Sequence, residues 1–558
     1  MVLLLIISLV IYPLQDIGGS LAFQGQDIVG GAAVIFKPPK RVKDLVGGAA
    51  LAMATRRPQR TSRSSDVARN NSSDRNRPTV PTTTTTVPTT TATATTDTLK
   101  TQGDTHFDAG RFAQALDAYQ GALKLAPQDV EAQGAVGDAQ LALGRFAEAA
   151  SAYEQTVRLQ PNNAAAYSNL GFAYDKLGKV PESIAALRNA VNLDANDATA
   201  FNNLGAALYK AGRYQEAIEA FNNAVRLQPN DADALNNLGA VLYVVEQYER
   251  AVDNFRRAIA ANANSADAHY NLGNAYYMTG RHREATVAYS RAIQLRPNYV
   301  EARINLGSLL IALSEYQNAI GELQGSIRLG TNNPVAHNNL GYAYVKLAET
   351  SNREMATQYL RQAVESYREA LRLKPDYIKA MNNLGAAYNK LGQYQEAAEV
   401  LTRATRAKPD FPEARYNLGT AFYNRGQFKE AVAEFQQAVQ LRKDYADAYN
   451  SLGTALYRDQ QFEPAIEAYK KTLSLRPANA ETNNNLGTVY FRTKRYKEAA
   501  ASFKEAIRIK PDYGEAHFNL ALTYLALGDR KATLDQYNKL KTVDPKLADD
   551  FFQRHMKK

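Results

Sequence analysis

Ten asparagines in this chain keep one recurring place. Asn169, Asn203, Asn237, Asn271, Asn305 and Asn339 follow one another every 34 residues, and Asn383, Asn417, Asn485 and Asn519 continue the row after one step of 44, with Ser451 in its single gap. A primary amide carries both a donor and an acceptor, which is what a peptide unit also presents. Such a row could hold an extended chain without reading its sequence. It could equally bond the adjoining structural unit and lock a stack together. Other chemistry is sparse. The six histidines are His106, His269, His282, His337, His517 and His555, and there is no cysteine. That excludes disulfides, thiolate metal sites and a cysteine nucleophile. No phosphate-binding glycine loop, zinc-ligand spacing, dinucleotide turn or nucleophile elbow occurs. The expectation is a chain with no cofactor and no metal that is not an enzyme.

What positions the asparagines is a repeat. Gly103, Gly137, Gly171, Gly205, Gly239, Gly273, Gly307 and Gly341 are 34 residues apart; after the step of 44 come Gly385, Gly419, Gly453 and Gly487, and Ala521 takes the next place. A fixed 34-residue period signals stacked helix–turn–helix units. With the glycine set as position 8, the row asparagines fall at position 6. Leucine holds position 7, Tyr or Leu position 11, Ala position 20 and an aromatic or Leu position 24, as in Leu204, Leu208, Ala217 and Phe221. Positions 4, 7, 8 and 11 make one helical stripe, and 20, 24 and 27 another. Small residues at 8, 20 and 27 let the two helices approach, while large ones at 7, 11 and 24 fill the space between. Glycine near position 15, as in Gly178, Gly212 and Gly392, ends the first helix. Proline at position 32 closes the second. Asn163, Asp197, Asp231 and Ser265 stand where the next helix needs an N-cap. The histidines at position 4 (His269, His337 and His517) read as packing residues.

These columns resemble the tetratricopeptide repeat over about residues 96–547, and units such as FNNLGAALYKAGRYQEAIEAFNNAVRLQPN are most similar to the repeat region of O-linked N-acetylglucosamine transferase, without a catalytic domain behind them. The resemblance implies an all-α, right-handed superhelical solenoid of about thirteen repeats, whose first helices line a concave groove. It implies a protein-interaction scaffold binding proteins or extended peptides through the asparagine row. The alternative is a non-catalytic targeting or accessory subunit for a separate enzyme, such as a glycosyltransferase, or for a secretion or envelope-assembly complex. Secondary groove residues are the position-2 acids Asp233, Asp267 and Glu301 and the position-12 tyrosines Tyr209, Tyr243 and Tyr277. Acid beside aromatic suits basic segments; a solvated first turn and inter-repeat packing explain the same residues structurally. Some family members clamp a terminal carboxylate with lysines at positions 2 and 5 and asparagines at 6 and 9. From Ser168 onward position 5 never carries lysine, and position 9 is asparagine only at Asn274, so that clamp is not expected. A ten-residue insertion near 347–362 predicts lengthened helices or a protruding loop. KLADDFFQRHMKK (546–558) reads as a capping helix whose Leu547, Phe551 and Phe552 cover the open end.

Ahead of the repeats lies a different kind of chain. Residues 1–54 form an apolar leader that reads as a signal, an anchor or a mis-assigned start preceding Met53. Residues 55–95 read as a disordered Arg-rich, then Thr/Pro-rich linker. The net charge is +10, and residues 1–98 hold 11 basic and 6 acidic side chains, so the excess is dense only there. Arg56, Arg57, Arg60, Arg63, Arg69, Arg75 and Arg77 could meet phosphates or an anionic membrane surface; the repeats carry no such density, which argues against nucleic acid as their partner. A membrane tether through the N-terminus and export stand level with a cytoplasmic location.

Overall fold

A computed structural model describes residues 95–330 and 332–556. The leader and most of the linker lie outside the described residues. Within them the chain forms 27 α-helices and no strand. The first 26 pair into thirteen hairpins, and the last, Pro545–Phe551, follows them. In a regular repeat the first helix has 13 residues and the second 14, as in Ala232–Val244 and Tyr248–Ala261.

The local causes are those of the columns. Asn163, Asp197, Asp231 and Ser265 each accept a backbone N–H of the following first turn. Position 15 is left-handed in every repeat but the one with the insertion, where Ala348 stays helical: Gly178, Gly212 and Gly392 have φ between 72° and 76°. Where glycine is missing in the others, Glu246, Ser314, Gln460 and Lys494 adopt φ of 61–62° instead. Position 8 is the point of closest approach within each hairpin. A Cβ added at Gly137, Gly205, Gly239 or Gly273 would meet the ring at position 24 at 2.6–2.7 Å.

The described chain divides into two compact units, one ending at Ala302 and one beginning at Arg303. The N-terminal unit has a core running from Phe172 to Ala288, with Leu208, Phe221, Leu242 and Phe255 nearly fully covered. In the C-terminal unit a core runs from Tyr416 to Phe551, through Phe435, Tyr469 and Phe503. There Phe551 is buried edge-on against Phe518 and stacked on Tyr537, Leu547 is partly covered, and Phe552 remains 39% exposed.

The insertion lengthens helices and adds no loop. The first helix of its repeat is Pro334–Glu349, 16 residues, and the second is Arg353–Leu373, 21 residues. Asn352 caps the second by accepting from the Met355 N–H.

Candidate functional site: the first-helix wall

Eight row asparagines are buried, with 0–7% of their surface exposed: Asn203, Asn237, Asn271, Asn339, Asn383, Asn417, Asn485 and Asn519. Asn169 and Asn305 are half-buried. Seven of the ten spend a donor on the repeat before them. Asn237 Nδ2 donates to Asn202 Oδ1 at 3.0 Å, and Asn271 Nδ2 to Asn236 Oδ1 at 3.0 Å. In the C-terminal unit Asn383, Asn417 and Asn519 donate to the Oδ1 atoms of Asn338, Asn382 and Asn484 at 3.1, 2.9 and 3.1 Å. Where position 5 carries no amide, position 9 substitutes: Asn169 donates to Asp138 Oδ1 at 3.3 Å and Asn339 to Ser308 Oγ at 2.9 Å. The asparagines at positions 5 and 6 therefore interlock as a polar seam between consecutive first helices.

The seam leaves particular atoms unbonded. The Oδ1 atoms of Asn203, Asn417 and Asn519 are buried without a hydrogen-bond partner, as is Nδ2 of Asn485. Asn485 has a local cause. Its expected acceptor, Asn450 Oδ1, takes the Thr482 hydroxyl instead, at 3.0 Å. Other first helices, such as Ala198–Lys210, carry alanine at this position 3, so no competing hydroxyl arises.

The secondary residues divide. Tyr209 and Tyr243 are buried and tilted against Tyr214 and Tyr248, with ring centroids 5.7 and 5.3 Å apart. Burial pushes both phenols above their ordinary pKa. Tyr277 is half-buried beside His282. Asp267 is held by Arg296 (2.9 and 2.8 Å) and by the Tyr299 hydroxyl at 2.9 Å, and the guanidinium lies 4.6 Å from the Tyr299 ring. Glu413–Arg442 and Asp447–Arg476 repeat this pairing of positions 2 and 31. Asp233 and Glu301 are exposed. Although its surface is open, surrounding protein partly desolvates the Asp233 carboxyl, and this, then Asp231 and Asp267, raises it above its ordinary pKa. The signal for the pairing was present in the sequence, because arginine occupies position 31 in these repeats while Asn262 stands there in the repeat of Asp233.

The charge of a second column on this wall escaped the sequence reading. Position 13, the last residue of a regular first helix, is basic at Lys176, Lys210, Lys346, Lys390, Arg458 and Arg492. Lys210 pairs with the buried Asp175 carboxylate at 2.6 Å. Lys346 and Lys390 both hold Glu349, at 2.8 and 2.9 Å. Of the histidines, His269 Nε2 lies 3.2 Å from the Ala263 carbonyl and His517 Nε2 2.9 Å from that of Pro511. Both are local bonds between neighbouring repeats. No cluster of metal-ligating side chains occurs among the described residues. No helix among them is long and apolar enough to cross a membrane.

Comparison with known families settles the repeat. Tetratricopeptide-repeat models match residues 266–299, 352–392, 387–426, 419–460, 450–513 and 491–547. The chain belongs to the tetratricopeptide-repeat family. A further model, the C-terminal domain of cilia and flagella-associated protein 70, matches residues 78–279 of this tetratricopeptide-repeat chain. No curated protein matches it. Among solved structures, the APC/C hetero-tetramer Cut9–Hcn1 is 15% identical with a TM-score of 0.36, covering 82% of this chain and 96% of that one. A structure of MamA is 24% identical with a TM-score of 0.29, covering 30% and 97%. MamA 41-end from Desulfovibrio magneticus RS-1 is 22% identical with a TM-score of 0.29, covering 30% and 96%. The family's all-helical repeat architecture is typical of protein–protein interaction scaffolds and is of a non-catalytic type.

Proposed function

We propose that this tetratricopeptide-repeat chain is a scaffold that holds an extended polypeptide segment along its first-helix wall, with the asparagine row contacting the segment's main chain. The observation that carries this reading is the residue of unmet hydrogen bonding in the seam. Asn203, Asn417 and Asn519 each keep an acceptor, and Asn485 a donor, without a partner inside the chain. A buried polar atom left unbonded costs about 1–3 kcal/mol. An extended backbone, with its N–H and C=O groups, carries both complements, and it reaches these covered atoms when the side chains beside the row part as it docks. The similarity of the units to glycosyltransferase repeats, read from the sequence, favours the same extended mode. In this reading the amides have two roles: their donors tie repeats together, and the leftover atoms meet the guest.

The test compares the full chain with two variants, Asn237→Ala with Asn271→Ala and Asn417→Ala with Asn519→Ala, in a pull-down followed by far-UV circular dichroism. Loss of captured protein with the helical signal retained is the expected result. Collapse of the helical signal, or capture unchanged in both variants, assigns the row to the seam alone and ends this reading.

A further inference from the structure

The position-13 column of the C-terminal unit points to a partner chemistry. Of its five members from the insertion-bearing repeat through Arg492, four are basic, Lys346, Lys390, Arg458 and Arg492, and Ala526 ends the column. The fifth, Asn424, donates to the Thr420 carbonyl of its own helix. The two lysines already show what the column takes. Glu349, which the insertion adds at the end of the lengthened helix, reaches Lys346 at 2.8 Å with one carboxylate oxygen and Lys390 at 2.9 Å with the other. Burial would raise the Glu349 carboxyl, yet the two ammonium groups hold it below its ordinary pKa.

Further along, the arginines occupy the same place with no carboxylate partner among the described residues. Each is instead oriented by the aromatic pair of the repeat before it. The Arg458 guanidinium lies 4.6 Å from the Phe428 ring and 6.0 Å from that of Tyr423. Arg492 Nε donates to the Tyr457 hydroxyl at 3.3 Å, and Tyr457 packs on Phe462. Both arginines are exposed. Laid on aromatic rings at Arg458, or held through Nε at Arg492, the guanidinium keeps terminal N–H donors oriented for a carboxylate.

We infer that Arg458 and Arg492 form a docking site for an acidic segment of a protein partner, and that Glu349 closes the same column to that segment at Lys346 and Lys390. The inference rests on the scaffold reading above and adds the chemical class of the guest. This chain's own leader does not fit, since residues 1–98 hold 11 basic against 6 acidic side chains. The site also differs from a terminal-carboxylate clamp. It uses side chains from the end of the first helix, and it spans successive repeats.

The experiment uses the full chain and three fluorescent peptides of equal length, alternating glutamate–serine, asparagine–serine and lysine–serine, followed by anisotropy at low and high salt. The glutamate peptide is expected to bind best and to weaken with salt. Arg458→Glu with Arg492→Glu should weaken it by about tenfold or more, equivalent to about 1.4 kcal/mol. Arg458→Gln with Arg492→Gln repeats the test without adding charge. Glu349→Gln should strengthen binding about threefold by removing the negative charge that neutralises the two lysines, a gain that damage to the fold cannot imitate. Equal binding of the glutamate peptide by all variants overturns this inference and leaves the scaffold reading standing. So does an asparagine peptide that binds as tightly. Failure of every peptide to bind overturns it as well, and the asparagine variants then decide the scaffold reading separately.

Discussion

Replacing Gly239 with alanine sets two known effects against each other at one carbon atom. In an exposed helix interior the change gains about 1 kcal/mol from helix propensity. At Gly239 the new Cβ would lie 2.6 Å from Phe255 Cε1 and 2.7 Å from Cδ1. Carbon contacts are comfortable at about 3.5–4.0 Å, so the methyl intrudes by roughly 1 Å. The ring cannot retreat into solvent, because Phe255 is 1% exposed within a core that also holds Leu242, Ala251 and Ala258. Overpacking of this kind costs about 1–3 kcal/mol. The clash outweighs the propensity, and the net loss is about 1–2 kcal/mol at its upper range, a fall of roughly 2–8 °C in melting temperature for a unit of this size. The matched control is Gly321, in the middle of Tyr316–Arg328, where an added Cβ meets nothing within 4 Å. Gly321→Ala should raise the melting temperature by about 2–4 °C. A thermal melt followed at the helical circular-dichroism band reads both. A further cycle removes the obstacle: with Phe255→Ala as background, Gly239→Ala should turn from harmful to helpful. If Gly239→Ala stabilises the wild-type chain as Gly321→Ala does, the account of position 8 as the point of closest approach is wrong.

Two other outcomes follow from the geometry. Thr482→Val keeps the volume but removes the hydroxyl that occupies Asn450 Oδ1, so Asn485 can make the bond its neighbours make; stability in a denaturant melt should hold or rise, and a loss of about 1 kcal/mol or more would refute the competition between the two donors. The imidazoles of His269, His337 and His555 are held below their ordinary pKa, first by burial in each case. The unfolded chain binds their protons near pH 6.5 and the folded chain does so only at lower pH. Their contribution is therefore intact above the unfolded value and lost as pH falls through the folded values. Melting temperature should drop between neutral and mildly acidic buffer, and replacing the three with glutamine should flatten that drop; an unchanged slope would show that other groups cause it.

The repeat was legible because its causes are local and recur. The glycine at position 8, the alanine at position 20 and the N-cap residues Asn163, Asp197, Asp231 and Ser265 each answer to a neighbour a fixed distance away in sequence. The asparagine row was legible as a row, and its partners were visible too, since Asn202, Asn236, Asn338, Asn382 and Asn484 stand beside it. What periodicity could not supply was the depth at which the amides lie, because that depends on how closely successive first helices pack. Tyr209 and Tyr243 were obscured for the same reason: position 12 looks groove-facing on a single helix and is covered by position 17 of its own hairpin, Tyr214 and Tyr248. The charge of the position-13 column was missed because its members change type, from lysine to asparagine to arginine, and a reading tuned to identical residues passes over a shared charge.

The lengthened hairpin shows how such a chain can absorb new sequence. Its ten added residues split into three on Pro334–Glu349 and seven on Arg353–Leu373 relative to regular helices of 13 and 14. At about 3.6 residues per turn these are close to one turn and two. Both helix ends therefore still face each other, and Thr350–Asn352 closes the hairpin in three residues, the length that joins Ala232–Val244 to Tyr248–Ala261, with the Asn352 side-chain cap where the regular joint has a left-handed residue. Growth in near-whole turns keeps the connection at three residues and spends no closure entropy on a longer loop. The tip of each hairpin is thus a splice point at which evolution or an engineer can graft a rigid arm bearing a new side chain, as this chain has done with Glu349.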